Sequence, residues 1–317
     1  MTAPSRVATL RIMVRLSAAV GTLAALLLTA NCSTDRSAPE PSPSTPPEPS
    51  SSTAPQPTTT PPAVPVVGSI TPTGKPIQTV LPSPSASIGA ACLTRAERLG
   101  ILTFRAQHGA ILTGAILGSG PSGVVIVHRS GSDLCNSLPY GRELAARGHQ
   151  VLVFDLEGRG SSGYLRYDEA AAPLAFDVVA AAAALRSHGA RRVVVIGVGG
   201  GAVSTLAGAT FAKPAFDGVV GISSADSHFG LDARPAVKRL PTLPLLLIAS
   251  ADDHTYDGET QNLYRLAASQ SKQLMIVPGD RYGEIMFEHS TADPANPYAV
   301  RDAVNAFVTR YAGPSNR

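Results

Sequence analysis

The sequence predicts an α/β fold, a mostly parallel twisted sheet of about eight strands flanked by helices on both faces. Wholly apolar runs such as Val124-Val-Ile-Val127 and Val193-Val-Val-Ile196 have the composition of strands buried on both faces. These runs alternate with helical segments, the pattern of repeated strand-helix units around a parallel sheet. Glycines punctuate the ends of both kinds of element.

Taken in order, residues 102–106 and 111–117 flank Gln107-His108-Gly109 and read as a hairpin with His108 in its turn. A buried strand follows at 124–127, then a helix over 138–147 stopped by Gly148. The next strand is 151–155 and the next helix 170–187. A strand at 193–196 leads into a helix over 202–213, and strands follow at 218–222 and 245–248. A helix at 259–269, a strand at 274–277 and a helix at 298–311 complete the series.

Composition divides the 317 residues into three parts: a segment 1–31, a linker 32–89 and a folded domain 90–317. Arg6, Arg11 and Arg15 precede an apolar run over 16–30, with no acidic residue before Asp35, as in a secretion signal. Cys32 follows Leu27-Leu-Thr-Ala-Asn31, which resembles a lipobox with Thr29 and Asn31 replacing its usual aliphatic and small residues. The expectation is an exported, extracytoplasmic protein anchored to the cell membrane through a lipid on Cys32. Cleavage after Ala30, or an uncleaved anchor, is the alternative. The linker is dominated by Pro, Ser and Thr and cannot bury a core. With Cys32 lipidated, Cys92 and Cys135 remain as an even pair for a disulfide, the alternative being two small apolar fillers. The three leading arginines make part of the formal charge of +3, so the protein without its signal is close to neutral. There is no tryptophan, basic stripe or paired-cysteine spacing, so neither nucleic acid, metal nor cofactor is expected.

Three motifs carry the chemistry. Gly197-Val-Gly199-Gly-Gly201 joins an apolar strand to a run of small residues, the form of a nucleophile elbow with Gly199 in the nucleophile's place. Ile126-Val-His128-Arg129-Ser130-Gly131 ends an earlier strand, and Phe154-Asp155-Leu-Glu-Gly158-Arg-Gly160-Ser-Ser162 ends the next. Together they resemble the α/β-hydrolase superfamily, in particular bacterial lipoproteins similar to esterases and dienelactone hydrolases, over residues 90–312. Arg129 stands where that family has glycine.

The resemblance implies an α/β-hydrolase fold with nucleophile, acid and histidine following successive strands. Ser250-Ala-Asp252-Asp253 is similar to the family's acid turn and points to Asp253, with Asp252 second. Pro278-Gly279-Asp-Arg-Tyr282-Gly283 places Tyr282 where the histidine belongs. Tyrosine, with a reference pKa near 10, does not take a serine's proton at neutral pH. Backbone N–H groups of Ser130 and Gly200 are the expected oxyanion donors.

The reading is therefore a non-catalytic binding protein of the cell envelope, with a small acyl or carboxylate ligand or an envelope protein as partner. The alternative is an active carboxylic-ester hydrolase that recruits Ser130, Ser223, Ser224 or Cys135 as nucleophile and His254 or His289 as base. A third reading takes Gly197-x-Gly199-x-x-Ala202 as a dinucleotide fingerprint, but Asp217 precedes its strand, at the wrong end of the sheet for a ribose.

Overall fold

A computed structural model describes residues 92–165 and 174–313. The signal segment 1–31, Cys32, the linker 32–89 and the first four residues of the helix expected at 170–187 lie outside the described residues.

After a short 3-10 turn, β1 (Ile101–Arg105) and β2 (Ile111–Leu117) form the expected hairpin. They are followed by β3 (Ser122–Val127), α1 (Leu134–Ala146), β4 (Gln150–Asp155), α2 (Leu174–Ser187), β5 (Arg192–Val198) and α3 (Gly200–Ala209). Then come β6 (Gly218–Ile222), the two-residue strands β7 (Ser227–His228) and β8 (Leu231–Asp232), α4 (Ala233–Lys238) and β9 (Leu245–Ser250). The chain closes with α5 (Asp257–Leu266), β10 (Lys272–Val277), a second 3-10 turn over Gly283–Phe287, and α6 (Ala299–Tyr311).

The main sheet has eight strands in the order β1-β2-β4-β3-β5-β6-β9-β10. The β1–β2 and β2–β4 pairs are antiparallel and the remaining five are parallel. Alternate residues of each central strand feed different cores, as the two-residue strand period requires. Val125 and Val127 pack with α2, α3, α4 and α5, whereas Val124 and Ile126 pack with α1 and α6.

The structure corrects several sequence expectations, among them the helix expected over 259–269, which runs Asp257–Leu266. The helix expected from residue 138 begins a turn earlier at Leu134, because Asp133 caps it by accepting from Cys135 N at 2.9 Å and the Asp155 carboxylate receives Leu134 N at 2.8 Å. Pro139 therefore lies inside the helix instead of in its first turn. The helix expected over 202–213 starts at Gly200 and ends at Ala209. The β7–β8 hairpin and α4 were not expected at all; strands of two residues are too short to show a period.

Cys92 and Cys135 are joined in a disulfide, which ties the start of the described region to the first turn of α1. The same junction carries Arg142, whose Nη2 donates to Cys92 O at 2.7 Å and whose Nε donates to Glu97 Oε1 at 2.6 Å.

Candidate functional site

The β5–α3 turn is built as an elbow. Gly199 takes φ 55° and ψ −122°, and its N–H donates to Ile222 O at the end of β6 (2.9 Å). A side chain there would be strained, and glycine accepts the conformation at little cost. Gly200 answers a different need: a Cβ on it would collide with Ser130 Oγ and the His228 ring. α3 opens with the N–H groups of Gly200 and Gly201 at its N-terminus, where the first turn supplies no intrahelical acceptor, and Ala202 N donates back to Gly199 O at 3.0 Å.

The loop after β3 faces that turn. His128 is wholly buried; its Nδ1 donates to Arg129 O at 2.8 Å and its Nε2 accepts from Leu156 N at 3.1 Å. Since Leu156 N can only donate, the proton lies on Nδ1, and burial pushes the ring's pKa down. His128 thus fastens the β3 loop to the end of β4. Asp155 is likewise structural: its Oδ1 accepts from Leu134 N and its Oδ2 from Ser161 N, both at 2.8 Å.

Arg129 occupies the centre of the site. A Cβ on Gly199 would lie 3.1 Å from Arg129 Cβ, and one on Gly283 would lie 3.0 Å from Arg129 Cδ. The side chain therefore runs from the nucleophile's place to the residue beside the histidine's place. There its Nε pairs with Glu284 Oε2 at 3.1 Å, while Arg129 N donates to Glu284 Oε1 at 3.0 Å. Its guanidinium carbon is 6.0 Å from the centroid of the Tyr282 ring.

Asp253, at the acid's place, is buried after β9. Its Oδ1 accepts from Thr255 N (3.2 Å) and Tyr256 N (3.3 Å), and its Oδ2 has no hydrogen-bond partner among the described residues. Tyr282 is 45% exposed and packs at 6.2 Å, centroid to centroid, from Tyr256.

Two cavities meet here. One of about 220 Å³ is lined by Arg129, Ser130, Gly199, Gly200, His228 and Tyr282 among others. Another of about 370 Å³ includes Glu157, Arg159, Tyr164 and Phe229 and shares Ser130, Gly200 and His228 with the first. The residues placed by sequence at the nucleophile, oxyanion and histidine positions thus line one cleft, and Asp253 adjoins it through the backbone of Tyr256.

The alternative nucleophiles and bases are mostly not brought together. Cys135 is held in the disulfide and is no nucleophile. Ser224 is buried and lines neither cavity; its backbone N–H donates to Thr260 Oγ1 at 2.9 Å and its carbonyl accepts from Thr260 Oγ1 at 3.1 Å, while its own hydroxyl has no hydrogen-bond partner among the described residues. Ser223, at φ 48°, donates to Met286 Sδ at 3.3 Å and accepts from Gly283 N at 3.1 Å, holding the Tyr282 loop against β6. His254 and His289 are exposed and line neither cavity. Asp217 receives Val193 N at 2.7 Å, at the amino end of β5 and away from the elbow.

Sequence reasoning missed His228, whose Nε2 contacts Ser130 Oγ in the cleft. It lies on β7, in the connection after β6, and carboxyl ends of parallel strands are where such folds place functional groups. That position was the one available signal. Burial lowers its pKa, helped by the nearby positive charge of Arg159.

No protein-family model and no curated protein matches the chain. Solved structures do. The Pyrococcus furiosus esterase Pf2001 is 17% identical, with 67% of this chain and 90% of that one aligned at a TM-score of 0.55. A thermophilic esterase from Thermogutta terrifontis is 15% identical over 67% of this chain and 99% of that one, with a TM-score of 0.51. The esterase EaEST from Exiguobacterium antarcticum is 12% identical over 66% and 99%, with a TM-score of 0.52. Sheet order, elbow geometry and these likenesses agree: the chain has the α/β-hydrolase fold.

Proposed function

We propose that this is a non-hydrolytic binding protein of the cell envelope that takes a small acyl compound, a short carboxylate above all, into the 220 Å³ cavity. The observation that carries the reading is the course of Arg129, whose stem passes within 3.1 Å of a Cβ on Gly199 and 3.0 Å of one on Gly283 before its Nε pairs with Glu284. Gly199 offers no hydroxyl, Tyr282 no imidazole, and Asp253 keeps an oxygen without a hydrogen-bond partner. What remains favours an anion: a guanidinium, the Ser130 hydroxyl and the N-terminal N–H groups of α3 around one small cavity. Of the fold relatives, the Thermogutta terrifontis esterase was solved with malate bound, which makes malate a natural probe beside butyrate. Export and lipid anchoring through Cys32 belong to the same reading, supported by the N-terminal pattern and by the disulfide, a bond that persists in oxidising compartments.

Calorimetric titration of the full-length chain with butyrate and malate tests this. Saturable binding of at least one, weakened tenfold or more by Arg129→Met, is expected; no binding of either, or binding indifferent to Arg129, would overturn it.

One observation favours a second reading. Ser130 Oγ contacts His228 Nε2 beside the Gly200 N–H, a nucleophile, base and oxyanion donor in one place, and burial lowers the His228 pKa. Turnover of p-nitrophenyl acetate that is lost in both Ser130→Ala and His228→Ala would establish this hydrolase and displace the binding reading.

A further inference from the structure

Behind the larger cavity is a cluster that neither the elbow nor the oxyanion loop uses. His108 comes from the β1–β2 turn, Glu157 lies two residues past β4, and Asp177 is in the first turn of α2. His108 Nε2 is 3.0 Å from Glu157 Oε2 and 3.6 Å from Asp177 Oδ1, and one donor atom from each residue falls within 4.8 Å of the others. All three side chains are almost wholly buried, at 0%, 2% and 0% exposure.

We propose that His108, Glu157 and Asp177 form a binding site for a divalent first-row cation, Zn²⁺ in the first instance. With bonds of about 2.0–2.2 Å, two donors of a tetrahedral or octahedral centre lie roughly 3.0–3.5 Å apart; the His108–Glu157 separation of 3.0 Å meets that, the His108–Asp177 separation of 3.6 Å lies just outside it, and closing the three donors onto one ion takes a small side-chain shift. The donor set of one imidazole and two carboxylates suits Zn²⁺ or Mn²⁺.

A second observation is independent of that spacing. Asp177 is fully buried, yet its Oδ1, the atom turned toward His108, accepts no hydrogen bond among the described residues. Its other oxygen is fixed, accepting from Glu157 N at 2.8 Å, and Glu157 Oε1 accepts from Leu165 N at 2.7 Å. Each carboxylate is thus oriented by one oxygen while the other faces the shared point, the arrangement by which outer hydrogen bonds aim metal ligands. Two buried carboxylates facing one imidazole are costly to ionise without a further positive charge. A cation at the shared point offsets that cost. Glu157 also lines the 370 Å³ cavity, so the ion would lie at its wall.

The competing arrangement is a protonated His108 clasping both carboxylates, with no metal. Titrating the chelator-treated full-length chain with Zn²⁺ by calorimetry, and with Co²⁺ by visible absorption, separates the two. One equivalent bound, a Tm raised by several degrees, and at least tenfold weaker binding in His108→Ala and in the isosteric Asp177→Asn are expected, with Asp232→Asn unchanged. Absence of stoichiometric binding to the parent chain, or binding that survives both substitutions, would overturn the proposal. Should His108→Ala fail to give a native circular dichroism spectrum, Glu157→Gln supplies the same comparison.

Discussion

Arg129 connects several single-residue observations. Its stem lies 3.1 Å from where a Cβ on Gly199 would begin, inside ordinary van der Waals contact. Gly199→Ser should therefore cost roughly 1–3 kcal/mol, for the positive φ and the crowding together, read as a lowered denaturation midpoint. Gly199→Ser with Tyr282→His should remain inert toward p-nitrophenyl esters until Arg129→Gly is added to remove the side chain that crowds position 199. Activity in the double variant would show that Arg129 moves aside unaided. Gly199, Tyr282 and Asp253 follow β5, β10 and β9, the strand ends after which the order of apolar runs puts them. The partnership of Arg129 with Glu284 was not legible in the sequence, since 155 residues separate them and no local pattern joins them.

At the scale of elements, α3 begins where two loops close on it. Gly200→Ala should displace Ser130 and His228 and abolish ligand binding in a titration, while circular dichroism stays native; a variant that still binds would mean those loops yield. The anchoring of α1 is equally specific. Cys92 and Cys135 are 43 residues apart in sequence, so their joint replacement by alanine should cost up to about 4 kcal/mol in denaturant unfolding by the chain-entropy estimate. Glu97 beside them has its pKa held down at about 2 by hydrogen bonds from Arg142. A depressed carboxylate stabilises above its unfolded pKa near 4.3 and loses that contribution as pH falls through 2. Glu97→Gln should thus lower stability at pH 7 by no more than about 1 kcal/mol, the pair being open to solvent, and leave it unchanged below pH 2. Among the elements, long strands and helices were legible from their apolar runs. The β7–β8 hairpin was not, and His228 was missed with it, because two-residue strands show no period and Phe229 takes a positive φ of 44° that its sequence does not announce.

For the whole molecule, the eight-stranded sheet does what the alternation of apolar runs implied: β3, β5, β6 and β9 lie side by side, and their following loops meet over one cleft. What sequence alone did not reveal is how residues remote in the chain share that end. Ser130 and His228 are 98 residues apart, and His108 and Glu157 are 49 apart; only the strand order brings each pair together. The fold by itself does not decide between the proposed anion-binding role and hydrolysis. Calorimetric titration of the full-length chain with malate and butyrate, repeated on Arg129→Met, tests the central claim most directly. Saturable binding by the parent and a loss of tenfold or more in the variant is the predicted result, and equal binding by both, or none by either, would contradict it.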